Sequence, residues 1–302
     1  MQQIKSAVII LAVLLCTVSI ANGQIIDNRL GNAFEDEMYF NQEFLWQNKI
    51  KKITGTWSIK RPNRPIEQRP DIFVYHFSTV GLLEQLDKIT SVLHLVDTLS
   101  IEFKRNDLGE VELRTEKGNK GFYTKKFIYN KEGKVERLDF GKSENISTEK
   151  GKLVPGQSIT INSESFQYKD INASSIMKSC YNNYGLLYSH ITTTKNDLGY
   201  LVSEKEEVVM SNRFTTKSYE YNEKGWMQSI TWDNIDPTQI KKHQFYYDSL
   251  GNLLKLEKYK GKEMIQEIEV LYTETMLIEA LLDHDVRSHD IQIIKFAYEF
   301  HQ

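Results

Sequence analysis

Phe245-Tyr246-Tyr247-Asp248-Ser249-Leu250-Gly251-Asn252-Leu253-Leu254-Lys255-Leu256-Glu257 is the stretch whose reading decides the fold. Phe245 and Tyr247 stand two apart, which puts both rings on one face of an extended strand. The Asp248 carboxylate is placed to accept backbone amides of a turn. Gly251, three residues on, is free to take the left-handed conformation that closes a type I turn with a bulge. The chain therefore reverses between Asp248 and Gly251. Leu254 and Leu256 resume a period of two, so the hairpin has an apolar face and a wet one.

The same grammar recurs upstream. Gly81, Gly109, Gly133, Gly199, Gly225 and Gly251 follow one another at spacings of 28, 24, 66, 26 and 26, and Gly185 fills the long gap. Three residues before these glycines stand Ser78, Asn106, Asn130, Asn182, Asn196, Asn222 and Asp248; two after stand Leu83, Val111, Val135, Leu187, Leu201, Met227 and Leu253. A repeat of about 26 residues is two strands and two turns, a unit that cannot bury its own apolar face. Neighbouring hairpins must pair edge to edge. The expected fold is all-β: an antiparallel meander of repeated β-hairpins forming a long twisted or curled sheet, with a short N-terminal helical element.

Motif copies such as Phe127-Ile128-Tyr129-Asn130-Lys131-Glu132-Gly133-Lys134-Val135 and Tyr219-Glu220-Tyr221-Asn222-Glu223-Lys224-Gly225-Trp226-Met227 resemble the YD repeat of Rhs and teneurin-type shell proteins. The resemblance covers about Phe73 to Tyr272. It implies an extracellular or envelope β scaffold. The arginine that the family places after the glycine is replaced here by Lys134, Trp226 and Asn252. A second, shorter likeness is Gly55-Thr56-Trp57, which looks like the opening strand of lipocalin-type barrels.

Three divisions are expected along the chain. Residues 1–23 read as a signal peptide, with Lys5, an apolar run from Ala7 to Leu15, and Ala21-Asn22-Gly23 as the cleavage site. Cys16 raises lipid attachment, against which the bulky Leu15 argues. Residues 24–72 form an N-terminal cap element and a link rich in proline (Pro62, Pro65, Pro70), with Phe34, Met38 and Leu45 at helical spacing. Residues 73–302 form the hairpin repeat domain, closed at its far end by a capping strand from Ile291 to Phe300. Leu82, Leu86, Ile89, Leu93 and Val96 also fit a helix, so residues 81–96 read as either helix or hairpin.

Composition excludes several functions. The chain of 302 residues carries 38 Lys and Arg against 41 Asp and Glu, and one of those lysines lies in the leader, so nothing draws it to nucleic acid. No apolar run beyond the leader suits a transmembrane helix, and strands of about half the needed length with charge on both faces argue against a membrane barrel. Cys180 is the one cysteine of the processed chain, which rules out an intramolecular disulfide or a multi-cysteine zinc site. It reads as a small buried hydrophobe. His76, His94, His190 and His243 read as sheet-surface residues.

Two candidate sites remain. Tyr219, Tyr221, Trp226, Trp232, Tyr246 and Tyr247 suit an aromatic platform for sugar rings or peptides, or else the packing of a repeat sheet. His284, Asp285, His289 and Asp290 suit a divalent metal or a proton relay, or else a solvated hairpin tip. No catalytic residue and no cofactor are expected. The leading expectation is a secreted or periplasmic envelope protein without catalytic activity, binding an extracellular or envelope protein or glycan. The alternatives are a lipocalin-like carrier of an apolar small molecule and a hydrolase using the turn from His284 to Asp290. An open sheet favours the first; a closed barrel with a dry cavity lined by Trp57 favours the carrier.

Overall fold

The computed structural model describes residues 24–302 apart from 36, 93, 94, 120, 148, 150, 151, 212 and 234–239. The expected signal peptide, Cys16 and His94 lie outside those residues. A short helix, α1 (Gln42–Gln47), precedes the strands β1 (Ile50–Lys60), β2 (Ile66–Phe77), β3 (Leu83–Val92), β4 (Leu95–Arg105), β5 (Val111–Gly118) and β6 (Gly121–Tyr129). Next come β7 (Val135–Ser143), β8 (Ile159–Asn172), β9 (Ser175–Tyr181), β10 (Leu187–Lys195), β11 (Leu201–Val208) and β12 (Phe214–Tyr221). The wall ends with β13 (Met227–Asp233), β14 (Lys241–Tyr247), β15 (Leu253–Lys260), β16 (Glu263–Tyr272), β17 (Ile278–Asp285) and β18 (Ile291–Phe300).

Each turn follows the grammar of its sequence. The seven motif glycines have φ between 71° and 96°, and each donates its N–H to the carbonyl of the Asn, Asp or Ser three residues before it. The side-chain oxygens of Asn106, Asn130, Asn182, Asn196, Asn222 and Asp248 accept the N–H groups two and four residues on. In the last unit Met276 takes the glycine's place at φ 62°, with Thr273 as the turn's acceptor. The tyrosine of the motif has its own task. Tyr129, Tyr221, Tyr272 and Tyr298 each donate their hydroxyl to the carbonyl of the first residue of the preceding return strand, at Val111, Leu201, Leu253 and Ile278. Each hairpin is thereby tied to the one before it.

Every strand pairs antiparallel with its neighbours in sequence. β1 also pairs with β18, Thr54 facing Ala297 and Trp57 facing Ile294. The sheet is therefore a closed barrel of 18 strands, which corrects the expectation of a long twisted or curled sheet. The two segments expected to cap its ends pair with each other instead. Closure satisfies both rows of edge amides and carbonyls at once, which separate caps do less completely. The division expected at 72/73 falls inside β2, so part of the expected N-terminal cap element is wall. Residues 83–92 are strand, with Tyr75 opposite Leu86; the hairpin reading holds there and the helical one falls.

Eighteen strands at roughly 4.8 Å make a wall about 86 Å round, far wider than the eight-stranded barrels whose interior side chains fill alone. The described residues of the 24–48 segment occupy part of that space as a plug. Ile25, Ile26 and Leu45 are at most 1% exposed and share one core with Ile53, Leu86, Phe245, Leu256 and Ile278 of the wall. Asn41 caps α1 by accepting the N–H groups of Glu43 and Phe44. Asn28 donates to the Tyr247 hydroxyl at 2.8 Å, and Arg114 on β5 meets Glu37 at 3.0 Å.

The outer wall is wet. Alternation from the core residues turns Lys52, Asp87, Lys117, Lys205, Lys255 and their neighbours outward, where they form ion pairs with Glu299, His76, Glu102, Glu207 and Glu257. Strands of 7 to 14 residues overlap the length used in membrane barrels, so length gives no argument against one, contrary to expectation. The charged outer face does, because each Lys or Arg facing lipid at mid-depth costs about 2–4 kcal/mol.

Candidate functional site

The plug does not fill the lumen. A cavity of about 310 Å³ remains between it and the wall formed by β1–β3 and β15–β18. Phe34 and Met38 of the plug face Trp57, Phe73, Ile268, Leu281, Ile294 and Phe296 across it. Trp57 stacks edge-on with Phe73 at 5.3 Å. The absence of a side chain at Gly55 admits Ile294 and Phe296, which would lie 3.1 and 3.2 Å from any Cβ placed there. Alternation supplies this greasy lining, since every second residue of these strands faces inward.

A few polar groups break the lining. Trp57 Nε1 is buried without a hydrogen-bond acceptor among the described residues, and an unsatisfied buried donor is a group that a ligand oxygen can serve. Lys88, Lys258, Gln266 and Asp283 stand on the same wall, with Glu35 on the plug. Burial pushes the Asp283 carboxyl up, against the hydrogen bond from Gln266 at 2.6 Å and the nearby Lys258 ammonium. Burial pulls Lys258 below the usual lysine range, while Asp283 and Glu35 hold it up. Beside this cavity, burial and the charges of Lys258 and Lys241 push His243 down to about 3. His243 faces inward against Trp232 at 4.5 Å, which corrects its expected place on the sheet surface.

The six aromatic residues expected as a platform are dispersed over both faces. Tyr219 is in the core and Trp232 packs on His243 inside the wall. Tyr221 lies tilted on Tyr200 at 4.8 Å. Trp226 and Tyr247 do meet, at 5.5 Å, where the plug enters. Tyr246 is on the outer face, 40% exposed, bonded to Glu257 and covered by Lys255. Tyr219, Tyr221, Trp232 and Tyr247 thus pack on the inner core, and Tyr246 lies on the opposite face of the wall.

The residues expected as metal ligands form a hairpin tip. Asp285 accepts the N–H groups of Arg287 and Ser288, Asp290 lies 3.9 Å from Arg61, and the His284 and His289 rings are 6.2 Å apart. Among the described residues no group of three or more His, Cys, Asp or Glu is arranged to hold a metal ion. Cys180 is 2% exposed, and burial pushes its thiol up, away from nucleophilic use. Sequence reasoning placed Trp57 at the cavity through its lipocalin likeness, but it missed Phe73, Ile294, Phe296 and Lys258. Their period of two marks them as facing one side; which side holds a cavity depends on closure.

No family model and no curated protein matches the chain. Among solved structures, a porin-like protein from Bacteroides uniformis is similar over 83% of this chain and 97% of its own, with 10% identity and a TM-score of 0.39. A LolA superfamily protein from Nitrosomonas europaea covers 84% of this chain and 87% of itself, at 6% identity and a TM-score of 0.25. A DUF1329 family protein from Desulfovibrio piger has the same coverage, at 8% identity and a TM-score of 0.23. Similarity at this level adds nothing to the barrel already described.

Proposed function

We propose that this protein is an exported, non-catalytic barrel that carries an apolar small molecule in its lumen, in the periplasm or outside the cell. The observation that carries the reading is the cavity beside Trp57. Its volume of about 310 Å³ stands at the lower end of small-molecule sites, and its walls are mostly aromatic and aliphatic, with Lys88, Lys258, Gln266, Asp283 and the plug's Glu35 and Glu37 as the polar points. One buried donor, Trp57 Nε1, lacks an acceptor among the described residues and suits an oxygen on a largely apolar ligand. The wet outer wall fits a barrel surrounded by water rather than lipid. The leading sequence expectation, a module binding through a broad sheet face, loses its support because the inner face is enclosed and plugged.

Native mass spectrometry of protein taken from its own host is the test, together with titration by a neutral apolar fluorophore. A retained apolar molecule, and saturable binding weakened about tenfold by Trp57→Ala, are expected. An empty protein that binds no apolar probe contradicts the reading.

A further inference from the structure

A second lumen cavity, of about 560 Å³, lies on the other side of the plug, against β2–β6. Its chemistry is different. Phe77, Leu83 and Phe103 line it as well, but four cations reach it: Arg29, Arg105, Arg114 and Lys125. The only carboxylates among its described lining residues, Asp27 and Glu37, are already engaged. Asp27 pairs with Arg29 at 2.5 Å and Glu37 with Arg114 at 3.0 Å.

That leaves Arg105 and Lys125 without a carboxylate among the described residues. Arg105 is held in place by its two ends, Nη1 donating to the Gly109 carbonyl at 2.9 Å and Nη2 to the Leu83 carbonyl at 3.4 Å. Its Nε is buried with no partner among the described residues. Lys125 rests over the Phe140 ring at 5.9 Å, a contact that leaves ammonium donors unused. A guanidinium fixed by backbone carbonyls, with a free N–H and a second cation on the same cavity, is a preorganised oxyanion site. A merely structural arginine in such a wall would instead be matched by a carboxylate, as Arg114 is by Glu37 and Glu116.

We propose that this cavity binds an oxyanion, carboxylate or phosphate, between Arg105 and Lys125. The site is independent of the apolar cavity: its ligand class is an acid, and Phe77, Leu83 and Phe103 give room for an apolar chain attached to it. Glu37 and Met38 border both cavities, so the plug is the partition between an apolar and an anion-binding compartment of one lumen.

Calorimetric titration of the full folded chain with inorganic phosphate, with dodecyl phosphate below its micelle concentration, and with dodecanol tests this. Dodecyl phosphate is expected to bind, and Arg105→Gln and Lys125→Gln are each expected to weaken it at least tenfold, while Lys205→Gln on the outer wall leaves it unchanged. Inorganic phosphate binding as tightly as dodecyl phosphate assigns the site to a free anion; much weaker phosphate binding assigns it to a headgroup with a chain. Both support an oxyanion site. Should Arg105→Gln fail to fold, Lys125→Gln decides alone, since Lys125 holds no backbone carbonyl. Dodecanol binding as tightly as dodecyl phosphate, with no effect of either substitution, overturns the proposal, and so does equal loss in Lys205→Gln. Dodecanol and the neutral fluorophore report on the apolar cavity, so failure there is told apart from failure here.

Discussion

The wall of this barrel has two arcs built from one repeat. From β13 through β18 and on to β4 the inward residues are mainly apolar, as Ile230, Phe245, Leu256, Ile268, Leu281 and Leu86 are, and they share one core with the plug; Lys88, His243, Lys258, Gln266 and Asp283 are the polar exceptions beside the cavity. From β5 to β12 the inward positions include Arg114, Glu116, Lys125, Glu204 and Lys217, joined by ion pairs such as Lys217 with Glu204 at 3.1 Å. Turn geometry is the same in both. The hairpin motif therefore fixes the path of the chain, and the inward set alone decides whether a stretch of wall is core or lumen lining. One consequence is that stability should be concentrated in the first arc and tolerance in the second.

Truncation in the core separates the arcs most strongly. Leu253→Ala, at a residue 0% exposed, is expected to cost about 2–5 kcal/mol in chemical denaturation. Ile191→Ala, half-buried on the polar arc, should cost about 1 kcal/mol or less. Equal losses would erase the distinction.

The turns give the next test. Gly81 and Gly109 share the left-handed conformation, at φ 76° and 82°. A Cβ at Gly81 would lie 2.3 Å from the Gln42 carbonyl and 2.9 Å from the Trp46 amide of α1, while one at Gly109 meets nothing within 4 Å. Gly109→Ala should cost about 1 kcal/mol, from the backbone alone. Gly81→Ala should cost about 2–4 kcal/mol and shift the Trp46 emission as α1 is pushed out.

A smaller effect is expected where the plug meets the polar arc. Glu37→Gln removes the carboxylate that Arg114 holds, though Arg114 keeps Glu116. A loss of about 1–2 kcal/mol, with faster hydrogen exchange confined to residues 24–48, is expected. Exchange rising equally around the whole wall would show that the plug is not a separate layer.

The smallest effect concerns a single turn acid. Burial raises the Asp248 pKa, but the hydrogen bonds from Asn252, Leu250 and Gly251 outweigh it and leave the carboxyl below its ordinary 3.8. A depressed folded value favours the ionised native state, so the stabilisation is present above the ordinary value and disappears as pH falls through the folded one. Asp248→Asn, which copies the turns at Asn196 and Asn222, should remove that acid-side slope from a plot of melting temperature against pH.

Much of the wall was legible because its signal is local. Asn222 and Gly225, or Asp248 and Gly251, specify a reversal within four residues, and each aromatic-x-Tyr string supplies its strand. Even Met276, with no glycine, kept its place in the rhythm. Closure was not legible, because it rests on β1 meeting β18 across more than 230 residues, and nothing near Thr54 names Ala297 as its partner. The candidate site suffered for the same reason. Tyr219, Tyr246 and Trp232 are conspicuous as aromatics, yet the cavity is defined by what Trp57, Phe73, Ile294 and Phe296 enclose once the first and last strands join. The DHDVRSHD stretch drew notice by composition alone; Asp285 serves backbone amides and Asp290 lies near Arg61, while Asp283, its first residue, faces the cavity and accepts from Gln266.

Closure is thus the claim on which the lumen, the plug and both cavities depend. Thr54 and Ala297 face each other across the β1–β18 seam, and Cys180 is the one cysteine among the described residues. In a Cys180→Ser background, the double substitution Thr54→Cys and Ala297→Cys should form an intramolecular disulfide under mild oxidation, with the fold retained. A folded monomer in which both thiols stay free would mean that the first and last strands do not pair, and would contradict the barrel.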